Sequence, residues 1–128
     1  MNGINPIHKS IIQRKTDILR LLLTRGNVAD TNIQVVSNGS TPLHLAIEKC
    51  DLEVVEILLQ HGSDTTLKNR HGDTALHVAA KVAFTESFRL LVEHGANVSL
   101  INNKGETALD VASRQKGFEG LNFIQWLS

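Results

Sequence analysis

Apolar residues along this chain come in short bursts at helical spacing, separated by polar stretches containing Gly, Asn and Asp. Leu43, Ala46 and Ile47 fall at i, i+3 and i+4, which puts them on one face of a helix. Thr41 before them is a good N-cap and Pro42 a good first helical residue. The chain then breaks around Cys50-Asp51. A second helix is predicted from Leu52 to His61, with Val54, Val55, Leu58 and Leu59 as its apolar side. Gly62 ends it, as glycine commonly does one residue past a helix. The polar stretch Ser63 to Asp73 follows, and its Asn69-Arg70-His71-Gly72 has turn chemistry.

This arrangement repeats. Thr41-Pro42-Leu43-His44 is matched 33 residues on by Thr74-Ala75-Leu76-His77, and 33 further by Thr107-Ala108-Leu109-Asp110. Gly39, Gly72 and Gly105 keep the same step, as do Ala46, Ala79 and Ala112, and Glu53, Glu86 and Glu119. Gly62 and Gly95 also follow it. A further copy lies upstream at a spacing of 36, where Asn5-Pro6-Ile7-His8 aligns with Thr41-Pro42-Leu43-His44. Leu21 to Gly26 aligns likewise with Ile57 to Gly62. The three extra residues fall between Gly26 and Gly39, so that segment is predicted to be a longer connection. One such unit carries too few large apolar side chains to offset the entropy of ordering it. Neighbouring units must therefore cover one another's apolar faces in a stacked array.

These residues resemble the ankyrin repeats. The likeness rests on TPLHLA, TALHVA and TALDVA, on the 33-residue step, and on VVEILLQHGSD and FRLLVEHGAN. It covers the chain as one domain of four units: 1–36 with a longer loop, 37–69, 70–102, and a truncated 103–128. The resemblance implies an all-α solenoid of stacked antiparallel helix pairs joined by β-hairpin-like loops. It further implies a non-catalytic module that grips a partner protein with a concave surface of hairpin tips and first helices. The chain departs from the family where Gly is usual between the two helices, carrying Arg14, Cys50, Ala83 and Lys116 instead. Strain is expected at those turns. Phe84 stands where a polar residue is usual.

Composition narrows the function classes. The 128 residues carry 13 Lys plus Arg and 13 Asp plus Glu, for zero formal net charge. That argues against a nucleic-acid binder, which normally has a basic excess, and gives no electrostatic attraction to anionic membrane. Cys50 is the only cysteine, which fits a reducing compartment. The N-terminus lacks a signal peptide's apolar core and no apolar run approaches membrane-spanning length. The expectation is an intracellular protein, cytoplasmic or nuclear, with no membrane, nucleic-acid or small-molecule partner and no cofactor.

Six histidines raise the question of metal. His8, His44 and His77 share one repeat position, and His61 and His94 share another. Equivalent positions in a stack lie roughly 10 Å apart, too far for one zinc ion with bonds near ~2 Å. The motif His sits instead in the first helical turn, where its ring can reach backbone groups. The family likeness implies that it bridges to the neighbouring hairpin. Cys50 with His44 lacks an orienting third group for thiol catalysis. Asp110, in place of the motif His, reads as a cap favoured by the helix N-terminus. No P-loop, G-x-G-x-x-G or H-E-x-x-H is present.

The surface implied by the likeness uses Ser37, Asn38, Ser40, Glu48 and Lys49, then Arg70, His71, Asp73, Lys81 and Val82, then Asn103, Lys104, Glu106, Arg114 and Gln115. Its charges are mixed, with Lys68 beside Arg70, Lys81, Lys104 and Arg114 and with acids between them. Reversing Arg70 and Lys81 is expected to weaken partner binding and leave stability nearly unchanged. Val82, Phe84 and Ile101 are apolar where the pattern predicts exposure. Ile33, Val35 and Val36 alternate loosely in the first loop. The predicted last helix, Phe118 to Leu127, presents Leu121, Phe123, Ile124 and Trp126, which a tight cap, a further repeat or self-association would cover. Stoichiometric inhibition of a transcription factor or enzyme, and a regulatory role within a longer polypeptide, are the alternative functions.

Overall fold

The structure is a computed structural model and describes residues 6–25, 32–34 and 38–115. Within them lie seven helices: α1 (Pro6–Ile12), α2 (Thr16–Arg25), α3 (Pro42–Glu48), α4 (Leu52–Gln60), α5 (Ala75–Lys81), α6 (Thr85–Glu93) and α7 (Ala108–Ser113). No strand forms among the described residues. The hairpin-like loops contain one isolated antiparallel bridge, Ile101 with Thr107.

Each first helix begins the way its sequence dictates. The Thr41, Thr74 and Thr107 hydroxyls each accept a hydrogen bond from the backbone N–H three residues on, satisfying a donor that the helix cannot. The side chains of His44, His77 and Asp110 accept in return from the threonine backbone N–H groups, closing a capping box at the start of α3, α5 and α7. The Asp110 carboxylate thus takes the capping role and is held below the usual carboxylate range, chiefly by the Thr107 backbone N–H. Asp51 caps α4 through its carboxylate. Phe84 occupies the same place before α6 without a side-chain cap, and it packs against the core instead of standing exposed.

Pairing follows the amphipathic pattern. α1 packs on α2, α3 on α4 and α5 on α6, while α1, α3, α5 and α7 stack in a row and α4 packs on α6. Ala46, Ala79 and Ala112 are buried at one repeat position of that row, where a small side chain lets the first helices approach. Leu19, Val55, Leu58, Phe88 and Leu91 fill the layer beneath the second helices. Stacking decides burial even at fixed chemistry. Val54 is 1% exposed in the second unit, while Ile18, at the same repeat position in the first, is 45% exposed. No described helix pair lies on the outer side of α2 to cover it.

The turns between paired helices carry the anticipated strain. Arg14, Cys50 and Ala83 have φ of 56°, 54° and 56°, the left-handed region that favours glycine. Each turn closes with a backbone bond such as Cys50 N–H to the Ile47 carbonyl. Cys50 is exposed, so replacing it by Gly removes little packing. Relieving the left-handed cost of ~1–2 kcal/mol, against Gly's entropy cost of ~0.5–1 kcal/mol, should stabilise Cys50→Gly by about 0.5–1 kcal/mol. Urea unfolding would show it as a higher midpoint at unchanged slope.

Several expectations fall outside the described residues: Ser37, Val35 and Val36, Lys116, and the last helix with Leu121, Phe123, Ile124 and Trp126. The self-association suggested for that helix lies there too.

Candidate functional site

The hairpin tips are held together in a row. Arg70 N–H donates to the Asn38 carbonyl at 2.9 Å, and one unit further Asn103 N–H donates to the His71 carbonyl at 3.0 Å. Asn side chains organise each tip from within. Asn69 Oδ1 accepts from the N–H groups of His71 and Asp73, and Asn102 Oδ1 accepts from those of Lys104 and Glu106.

The motif histidines join these tips to the helices. His8 Nε2 meets the Ser40 carbonyl at 3.1 Å, His44 Nε2 the Asp73 carbonyl at 2.8 Å, and His77 Nε2 the Glu106 carbonyl at 2.8 Å. The three acceptors hold one repeat position. In His44 the Thr41 backbone N–H donates to Nδ1, so Nδ1 is the acceptor and the neutral ring carries its proton on Nε2, which donates to Asp73. Burial pushes the His8 and His44 imidazoles below their ordinary range, with the carbonyl bonds opposing in part. Among the described residues no group of three or more His, Cys, Asp or Glu is placed to hold a metal ion.

Between the third and fourth tips, His71, Lys81, Asn102, Asn103 and Lys104 line a cavity of about 290 Å³. A chain of contacts runs beneath it. Lys81 Nζ lies 2.6 Å from Asp73 Oδ2, and Asn102 Nδ2 donates to Asp73 Oδ1 at 3.1 Å and to Glu106 Oε1 at 3.2 Å. Arg114 closes the chain on Glu106 Oε2 at 2.6 Å. The Glu106 carboxyl is held below the usual carboxylate range by the bonds from Asn102 and Arg114.

The surface read from sequence is only partly a surface. Asn38, Glu48, Lys49, Arg70, His71, Lys81, Val82, Asn103, Lys104 and Arg114 are exposed, and Glu106 and Gln115 half-buried. Ser40 and Asp73 require correction. They are 2% and 1% exposed, and their carbonyls meet the His8 and His44 rings. Asp73 supports the surface through Lys81 and Asn102 without reaching it. Asn102 was missed. Its only sequence signal is the step of 33 from Asn69, and its buried amide links two units.

Lys81 also needs revision. Its ammonium is the ion partner of a buried carboxylate, so its reversal cannot leave stability unchanged. Lys81→Glu should cost about 1–3 kcal/mol, less than for a fully buried pair because Lys81 itself is exposed. Adding Asp73→Asn should recover part of that loss in urea titrations, since it removes the repelling charge.

Comparison with known proteins fits this geometry. A family model described as ankyrin repeats, in three copies, matches residues 1–69 and again 61–128. The chain belongs to the ankyrin-repeat family. The ankyrin repeat domain of Bcl-3, described as a unique member of the IkappaB protein family, superposes with a TM-score of 0.81 at 34% identity, covering 86% of this chain and 47% of that one. The human 2-5A-dependent ribonuclease is 35% identical over 63 residues, 49% of this chain and 8% of its own length. The human ankyrin repeat and SOCS box protein 14 is 36% identical over 69 residues, 52% of this chain and 11% of its own. The chain thus spans about a tenth of the length of these curated relatives. Ankyrin repeats are in general protein-interaction modules without catalysis, even where, as in the ribonuclease, they form part of an enzyme. Among the described residues of this ankyrin array, no helix is long and apolar enough to cross a membrane.

Proposed function

We propose that the array binds a partner protein through the face made by its hairpin tips and the exposed flanks of α3, α5 and α7. The observation that carries this reading is the linked run Lys81, Asp73, Asn102, Glu106 and Arg114, which spans two units and fixes polar side chains at the surface before any partner arrives. Pre-fixed side chains lose less entropy on binding, so a face built this way favours association.

The test begins with affinity purification using the array as bait, followed by hydrogen-exchange footprinting of the recovered complex. Protection concentrated at 38–49, 70–82 and 103–115 is expected. Lys49→Glu with Lys104→Glu should weaken capture without loss of folding, because both side chains are exposed and neither forms an ion pair among the described residues. A footprint confined to α2, α4 and α6 would refute the reading. A regulatory role inside a longer polypeptide is the second reading. It is favoured by relatives such as the ribonuclease, where the matched segment is 8% of the protein.

A further inference from the structure

We propose that the cavity between the third and fourth hairpin tips receives a carboxylate side chain, so that the segment docking there is an acidic peptide. The proposal rests on the protein-binding reading above and names the chemistry of the partner.

The lining is rich in donors. Lys81 and Lys104 supply ammonium groups, His71 an imidazole, and no carboxylate lines the cavity. The carboxylates nearby are already engaged. Asp73 is buried and bound by Lys81 and Asn102, and Glu106 is bound by Asn102 and Arg114. Around the cavity the three cations Lys81, Lys104 and Arg114 face the two carboxylates of Asp73 and Glu106. Lys81 has three N–H donors and uses one on Asp73. Lys104 forms no ion pair among the described residues.

The cavity is also pre-built for an anion. Asp73 anchors the Lys81 ammonium from below, so little side-chain entropy remains to be lost when a second carboxylate approaches. Asn102 cannot turn away, since its oxygen holds two backbone N–H groups and its amide two carboxylates. About 290 Å³ lies at the lower edge of the range for ligand sites and leaves room for an acidic side chain. A nucleic-acid or other phosphate ligand fits less well. No arginine fork and no aromatic platform lines the cavity.

The probes are three soluble peptides of equal length, rich in Glu, Gln or Lys, and a single-stranded oligothymidylate, titrated into the array and followed by amide NMR shifts. Saturable shifts at His71, Gly72 and 102–104 are expected with the Glu peptide alone, weakening as salt rises. Lys104→Glu should weaken that binding at least tenfold, and His71→Gln should lower it less. An unchanged spectrum outside the tips verifies folding. Equal response to Glu and Gln peptides, indifference to Lys104→Glu, or tighter binding of the oligothymidylate would each overturn the proposal. The two ideas fail separately. A captured partner that protects the tips with a basic segment sinks the acidic pocket alone, whereas protection of α2, α4 and α6 sinks the binding face.

Discussion

Replacing His44 by Ala should destabilise the array by about 3–4 kcal/mol, the largest single effect expected outside the apolar core. The imidazole does three things at once. Its Nδ1 accepts from the Thr41 N–H, completing the cap of α3, and its Nε2–H reaches the Asp73 carbonyl of the next unit. It is also fully buried and fills space between α3 and the hairpin. Removing it leaves a buried N–H and a buried carbonyl short of their partners, each costing about 1–3 kcal/mol, and opens a cavity as well. Urea unfolding with a fitted slope would measure the loss. A change below about 1 kcal/mol would mean that water replaces the ring without penalty.

The same residue sets a pH response. The folded-state pKa of His44 and of His8 lies below the ordinary 6.5, because burial disfavours the charged ring. As pH falls below about 6.5 the unfolded chain binds protons that the folded chain refuses, so stability declines from there down through the folded pKa. Above that range these two rings contribute no slope. In His44, protonation would also set a new N–H against the Thr41 backbone N–H. Midpoints measured between pH 7.5 and 5 should therefore fall with acid in the native sequence and fall less in His44→Gln. Equal slopes would show that the ring is not the group responsible.

Gly72→Ala should cost about 2–4 kcal/mol, and its interest lies in the comparison with Gly105→Ala. Both glycines have left-handed backbone, φ 74° and 76°. An alanine at either place therefore carries the left-handed cost of about 1–2 kcal/mol. The surroundings differ. A Cβ on Gly72 would lie 2.6 Å from the Asn103 backbone nitrogen and overlap the Asn103 side-chain oxygen, whereas a Cβ on Gly105 meets open space. The additional penalty at Gly72 is overpacking against the next hairpin, about 1–3 kcal/mol. Relief of that clash would part the third and fourth tips and deform the cavity they frame. Thermal unfolding should rank Gly72→Ala well below Gly105→Ala. Equal midpoints would mean that the tips are not in close contact in solution.

Much of the architecture was legible from residues alone. The recurrence of Thr-x-Leu-His at a step of 33 predicts the caps, the helix pairs and the stacking, because a capping box and an amphipathic face are local in sequence. The non-glycine turns at Arg14, Cys50 and Ala83 could be marked for strain from residue type, and their backbone takes the left-handed conformation. The candidate surface was less legible. Ser40 and Asp73 occupy hairpin positions like those of exposed neighbours, yet both are buried, and the contacts that surround them, such as those of the His8 and His44 rings with their carbonyls, act across about 30 residues.

What this sequence determined by itself was therefore everything carried by short-range rules: which residues start each helix, which face is apolar, where the chain turns, and that like units must shelter one another. Only the tertiary structure decided which polar groups reach solvent. It made Lys81 the counter-ion of a hidden carboxylate, put Asn102 at the junction of two units, and left Ile18 bare where Val54 is covered. The physical reason is that burial and charge pairing depend on what the adjacent unit places there, and no residue's own identity or spacing contains that neighbour.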